Sequence, residues 1–316
     1  MPDPQLEIDA ACALHLGNRD TQEDAIASDF PIGGGCGLVV LADGMGGHTA
    51  GEIASKIAVT EVYSELKLLS SDLVGDGSNM PNVLRRAVES ANECLRGHSE
   101  AHPAMAGMGT TLVAIVQISD ALHWISIGDS LLLLFRHGKL RRLNADHSLA
   151  PQIDLMVKKG ELQQEVAAKH PQRNCLTSAM TGEPIPRIDC PHTPLRLLPD
   201  DVIIVSSDGL QALPDDSIAR VLAERSEATS NQIAKALLNA VIERDDPEQD
   251  NLACAVAKVV NPQQNDIEAL DGHASQALLA NVANGGAKTD TRVRGSYTPQ
   301  PPIMHRLRRL TGGLFW

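Results

Sequence analysis

Four aspartates in this chain stand at the ends of apolar runs, and that placement restricts the fold more than any other feature. Asp43 closes Leu38-Val39-Val40-Leu41-Ala42, and Asp208 closes the run from Val202 to Ser207. Asp129 follows the run Leu122 to Gly128, and Asp250-Asn251 opens the run Leu252 to Val260. Short uninterrupted apolar runs bounded by Gly, Ser or Asn read as buried strands. An acid at the end of such a strand packs poorly but binds a hard cation well. If the strands lie side by side, the four acids meet at one edge, where each close pair repels by about 4 kcal/mol at an effective dielectric of ~20. Such a cluster persists only if cations neutralise it, and all-oxygen ligands select Mg²⁺ or Mn²⁺. The chain reads as a metallohydrolase.

With 316 residues and 43% hydrophobic content, the chain has material for a sizeable core. Aromatic residues make up only 2%, so that core is aliphatic. A formal charge of −13 argues against nucleic-acid binding by the body of the protein. The six cysteines are scattered without a C-x-x-C pair, and Cys12 and Cys254 fall inside apolar strand-like runs. The start, Met1-Pro2-Asp3-Pro4-Gln5-Leu6-Glu7, lacks a cationic and then apolar signal segment. No stretch approaches the ~18 consecutive apolar residues of a spanning helix. These features predict a cytoplasmic protein with reduced thiols.

Periodicity divides the chain into strands and helices. Residues 8–16 and 36–42 read as strands, with Gly33-Gly34-Gly35 as a turn between them. From Thr49 to about Leu69 two helical rows appear, Ile53-Ile57-Glu61-Glu65 and Ala54-Ala58-Val62-Leu66. The segment Leu73 to Met80 reads as a loop, and a second helix follows through Val83-Leu84, Ala87-Val88, Ala91 and Cys94-Leu95. Strands are predicted over 111–118, 122–127, 131–136, 140–143, 202–207 and 252–260, with helices over 149–168 and near 230–243. The stretch Thr181 to Pro199 is Pro-rich and irregular. Paired helices between groups of strands predict an α+β fold, an antiparallel sheet sandwich with helices packed outside. After Val260 the sequence turns to Asn, Gln, Gly, Ala and Thr. A catalytic domain over 1–260 and a flexible linker and tail over 261–316 are expected.

Three constellations carry chemistry. In Asp43-Gly44-Met45-Gly46-Gly47-His48, Gly-rich backbone beside an acid lets a carbonyl and a carboxylate reach one ion. In Gly17-Asn18-Arg19-Asp20-Thr21-Gln22-Glu23-Asp24, a guanidinium fork can grip phosphate oxygens. Glu23 and Asp24 can hold metal-bound waters. Ser207-Asp208-Gly209 and Asp250-Asn251 supply late-chain acids at strand edges, as a binuclear site assembled from distant segments requires.

Together these motifs resemble the metal-dependent Ser/Thr protein phosphatases of the PPM family, the type 2C class, in their bacterial form. The resemblance runs from Gly17 to about Val260. It also takes in Met108-Gly109-Thr110-Thr111, Gly128-Asp129-Ser130 and Asp146-His147-Ser148. It implies two Mn²⁺ or Mg²⁺ ions in a cleft between two central sheets. Asp43 would bridge them, with the Gly44 carbonyl on one ion and Asp208 and Asp250 on the other. Asp129, with Asp208, matches the acids for a third, weaker ion, and Arg19 matches the phosphate-binding arginine. A water bridging two cations ~3.5–4 Å apart becomes hydroxide and attacks phosphorus in line. The partners implied are phosphorylated proteins, substrates of a Ser/Thr kinase. His48 is a candidate acid for the leaving group, although its offset from Asp43 differs from the Asp-Gly-His arrangement of other members; a metal-bound water is the alternative.

The chain departs from the pattern in places. Leu131 and Ser178 stand where the family often carries arginine, and Gln22 replaces a common Asn. None is a direct metal ligand in the resemblance, so activity is expected to survive. The alternative function is a catalytically weak phosphoprotein-binding module with the same fold, against which the intact Asp43, Asp208 and Asp250 speak. A hydrolase of small phosphoesters is a further rival. In the tail, Ile303, Leu307, Leu310 and Leu314 fall at helical spacing among Arg306, Arg308 and Arg309. One reading is weak docking of 303–316 to a membrane or a partner; the other is an unstructured terminus.

Overall fold

The computed structural model describes residues 6–31, 35–47, 49–73 and 79–260. The Gly33–Gly35 turn lies partly outside the described residues, and so do most of the 73–80 loop, His48 and the whole tail. In chain order the strands are β1 (Glu7–His15), β2 (Asp24–Asp29), β3 (Cys36–Met45), β4 (Gly109–Thr110), β5 (Leu112–Ile118), β6 (Ala121–Ile127), β7 (Leu131–Arg136), β8 (Lys139–Arg142), β9 (Leu195–Arg196), β10 (Val202–Ser206) and β11 (Leu252–Val260). The helices are α1 (Thr49–Leu73), α2 (Met80–Ala101), α3 (Ala150–Lys158), α4 (Gln164–Ala168), α5 (Asp215–Ala223) and α6 (Ser230–Ile242).

The strands form two antiparallel sheets, ordered β1-β11-β10-β7-β8 and β2-β3-β5-β6-β9, with β4 pairing the end of β3. The central strands of each sheet are buried on both faces, which is why they read as unbroken apolar runs rather than as alternation. In β3, Val39 and Leu41 pack between the sheets with Ile203, Val205, Ala253 and Ala255. Val40 and Ala42 pack instead against α1 and α2, where the predicted Ala54-Ala58-Val62-Leu66 row is wholly buried. On the opposite outer face, Ile204, Leu252 and Val256 meet Ile218 and Leu222 of α5 and Ile233 and Leu237 of α6. The α+β sandwich expected from the sequence is therefore observed. Cys254 is buried, Cys12 is partly buried against the inter-sheet core, and all six thiols are free. No helix among the described residues is long and apolar enough to cross a membrane.

Several elements differ from expectation. The helix expected over 149–168 is two, because the chain turns at Gly160 with φ +75 between α3 and α4. β2 and α5 are not legible in the apolar pattern, being short and flanked by acids. The Pro-rich stretch contributes β9, which pairs with the start of β6.

Strand direction brings the acids together. Because β10 is antiparallel to both neighbours, Ser206 stands opposite Cys254 of β11 and Leu131 of β7. Asp208 beyond β10, Asp250 before β11 and Asp129 before β7 thus share one edge of their sheet. In the other sheet Asp24 and Asp43 are directly opposite across the β2–β3 pair.

Candidate metal centre

At that edge Asp43, Gly44, Asp129, Asp208 and Asp250 line a single cleft of about 700 Å³. The Asp43 and Asp208 carboxyls, from different sheets, both face this cleft and interact there. Arg19 Nη2 donates to Asp250 Oδ2 at 2.6 Å. Asp24 is 4% exposed and accepts a hydrogen bond from Ser207 Oγ at 2.7 Å.

Burial is the main force on these acids, and their mutual repulsion adds to it. It raises Asp24 to about 7, with Asp208 and Asp250 adding to the effect and the Ser207 hydroxyl opposing it. Asp43 is pushed well above the ordinary carboxylate range by burial and then by Asp24, Asp208, Asp129 and Asp250. Asp129 rises to about 7 through burial and the nearby Asp208 and Asp146. Asp208 rises to about 6, again through burial first and Asp250 second. No group of three or more His, Cys, Asp or Glu among the described residues is already closed around a common point. Arg19, paired with Asp250, offsets part of their repulsion. A set of oxygen donors that cannot all ionise without countercharge fits hard divalent cations.

The motifs without acids hold this cluster in place. Thr110 Oγ1 and Thr111 N each donate to the Asp43 carbonyl at 2.8 Å, and Asp43 N donates to Thr111 Oγ1 at 3.1 Å. The Gly-Thr-Thr motif is thus a backbone clamp on Asp43. Gly44 must be glycine because a Cβ there would lie 2.0 Å from the Gly51 carbonyl of α1. Asp129 is set by its neighbours: Gly128 N donates to His147 Nδ1, His147 N donates to Gly128 O, and Arg142 Nη2 donates to the Asp129 carbonyl. Asn251 is 5% exposed and secures the Arg19 loop, donating to the carbonyls of Leu16 and Thr21 and accepting from Glu23 N. At Gly17, φ is +63 and a Cβ would meet the Asp250 carbonyl at 2.2 Å, so only glycine lets the loop approach.

The sequence profile of the family described as Protein phosphatase 2C matches residues 13–243. The chain belongs to the protein phosphatase 2C family. Serine/threonine protein phosphatase PstP of Mycobacterium tuberculosis is 31% identical over 290 residues, which cover 90% of this chain and 52% of PstP. The chain thus spans about half the length of that relative. Serine/threonine phosphatase stp of Listeria welshimeri is 31% identical over 203 residues, covering 63% of this chain and 78% of stp. Among solved structures, Stp1 from Staphylococcus aureus is similar at a TM-score of 0.68 with 26% identity, covering 83% of this chain and 99% of Stp1. The catalytic domain of PstP, solved with two manganese ions, is similar at 0.64 with 30% identity, covering 81% of this chain and all of that domain.

Within the type 2C framework, Arg19, Asp24, Asp43, Gly44, Asp129, Asp208 and Asp250 converge at one edge. Glu23 lies beside them, its backbone carbonyl accepting from Gly44 N at 3.0 Å. Asn251, next to Asp250, uses its side chain to hold the Arg19 loop. Ser207, Thr111 and His147 position the acids, and no signal separates them in the sequence from the motifs that contain them.

Proposed function

We propose that this chain is a metal-dependent protein-serine/threonine phosphatase that hydrolyses phosphoserine and phosphothreonine at a binuclear Mn²⁺ or Mg²⁺ centre, with residues 1–260 as its catalytic unit. The observation that carries the reading is the convergence of acids from both sheets on one cleft with Arg19 at their edge. Family membership and the manganese-containing PstP domain support it.

In this reading Asp43, the Gly44 carbonyl, Asp208 and Asp250 would hold two divalent cations. Asp129 serves a third, weaker ion. Bound cations would acidify water for attack on phosphorus and offset charge on the phosphoryl oxygens. Arg19 supplies the organic half of that recognition by donating from its fork to the phosphate oxygens. To do so it exchanges Asp250 for phosphate, so cation binding at Asp250 and phosphate binding at Arg19 assist each other. Asp24 and Glu23 accept hydrogen bonds behind the ligands. Proton delivery to the leaving serine or threonine oxygen falls to His48 or to solvent. The substrates are phosphorylated proteins, products of a Ser/Thr kinase.

The test is phosphate release from a phosphothreonine peptide with Mn²⁺ and with EDTA, for the native chain and for Asp208→Asn. Release that needs Mn²⁺ and disappears in Asp208→Asn is expected. Binding of the phosphopeptide without release under any divalent cation would instead make the chain a phosphoprotein-binding module.

A further inference from the structure

The cleft has a second wall, the stretch from Asn174 to Pro186, that the acid cluster does not use. Apart from the four aspartates, Glu183 is the one charged side chain lining the cleft among the described residues, and no Lys or Arg lines it. The side chain of Glu183 is exposed and has no hydrogen-bond or ion-pair partner among the described residues.

Its backbone, by contrast, is held firmly. Asn92 of α2, 9% exposed, donates from Nδ2 to the Glu183 carbonyl at 2.8 Å and accepts from Gly182 N at 2.9 Å. Gly182 has φ +85 and packs against Arg96, whose Cα would lie 2.7 Å from an added Cβ. At the base of the loop, Met180 and Thr110 exchange two backbone hydrogen bonds of 2.9 Å. Further out, Ser178 Oγ donates to the Arg187 carbonyl and accepts from Arg187 N. The loop therefore displays an unpaired carboxylate at a fixed place on the cleft wall.

Charge counting gives that carboxylate a task. In the proposed chemistry the four aspartates are committed to cations, which leaves Glu183 as the acid of the lining with no assigned partner. Ser178, on the same wall, is neutral. We propose that Glu183 is a specificity-determining residue, selecting substrates that carry Lys or Arg close to the phosphorylated residue. The inference rests on the phosphatase reading and names the substrate class for it. An exposed ion pair in water discriminates by about three-fold, and added salt erodes the effect.

The experiment compares phosphothreonine peptides that differ only in Lys, Gln or Glu at the positions flanking the phosphothreonine. For the native chain, kcat/KM should favour the Lys peptide over the Glu peptide by about three-fold at low salt. Glu183→Gln should bring the two towards parity, and Glu183→Lys should reverse their order. The same Lys-to-Glu ratio in all three proteins overturns the proposal, because the preference would then belong to the net charge of the whole molecule. Mn²⁺-dependent hydrolysis of p-nitrophenyl phosphate by the native chain tests the phosphatase reading without any flanking residue. If that hydrolysis is absent, anisotropy of the labelled peptides with the three proteins still decides the role of Glu183.

Discussion

The guanidinium of Arg19 lies 2.6 Å from the carboxylate of Asp250, joining residues 231 positions apart. Each is half-exposed, with side-chain exposures of 54% and 41%, so the pair is a surface contact that exchanges easily. In the proposed chemistry it is a competitor for both ligands: cations want Asp250, and phosphate wants Arg19.

Replacing Arg19 with Ala should therefore have two effects of opposite sense. KM for a phosphothreonine peptide should rise about ten-fold, the scale of a lost charge-assisted hydrogen bond, with a smaller change in kcat. Affinity for Mn²⁺, measured by calorimetry, should not fall and should rise modestly as Asp250 is released. A large loss of Mn²⁺ affinity would mean that Arg19 organises the metal ligands instead.

Asp208→Asn should trade function for stability. It removes a like charge beside Asp43, and it should abolish turnover and the Mn²⁺-induced rise in Tm. In EDTA at pH 8 the variant should melt higher than the native chain by about 2–4 °C for each kcal/mol of repulsion relieved. A variant that melts lower in EDTA would show that the acid is a structural partner first.

The pH dependence of metal-free stability has a definite sign. Asp24 and Asp129 sit at about 7 and Asp208 at about 6, against ordinary carboxylate values near 4 in the unfolded chain. Between those limits the folded chain holds protons that the unfolded chain has released. Their contribution is complete below pH ~4 and is lost as the pH rises to about 7. Cations bind the ionised acids only, so their stabilisation grows over the same window. The difference in Tm between Mn²⁺ and EDTA should widen from pH 5 to pH 8. A constant difference would contradict the acid cluster as the binding site.

Asn251→Ala should cost about 2 kcal/mol, since it leaves the Leu16 and Thr21 carbonyls and the Glu23 amide without partners. Hydrogen exchange should accelerate in residues 16–23 before it does so in the sheets. Phosphopeptide KM should rise along with it, because Arg19 is carried by that loop.

The acids were legible because a charge at the end of an apolar run contradicts packing, and only chemistry resolves the contradiction. The sandwich was legible for a related reason: Val202 to Ser206 is buried at every position, so its pattern is continuous. β2 escaped notice because Asp24-Ala25-Ile26-Ala27-Ser28-Asp29 has one large apolar side chain and an acid at each end. α5 escaped because its nine residues bury only Ile218 and Leu222, too few to show a period. Asn92 and Asn251 could not be read at all as anchors. Their partners are main-chain atoms of segments 90 or more residues away, and main-chain atoms leave no mark in a sequence.

Asp43 lies in a strand of one sheet, while Asp208 and Asp250 flank strands of the other. Cations held by all three would rivet the two layers, and the layers are spaced by Leu41, Val39, Val205 and Ala255 in between. That interior acts as a ruler for the distance between ligands. Shortening it, as Leu41→Ala would two residues before Asp43, should weaken Mn²⁺ binding even though Leu41 supplies no ligand oxygen. Metal affinity then becomes a gauge of how the hydrocarbon layer is packed, and a variant selected for tighter packing would retune the cation site without altering one of its donors.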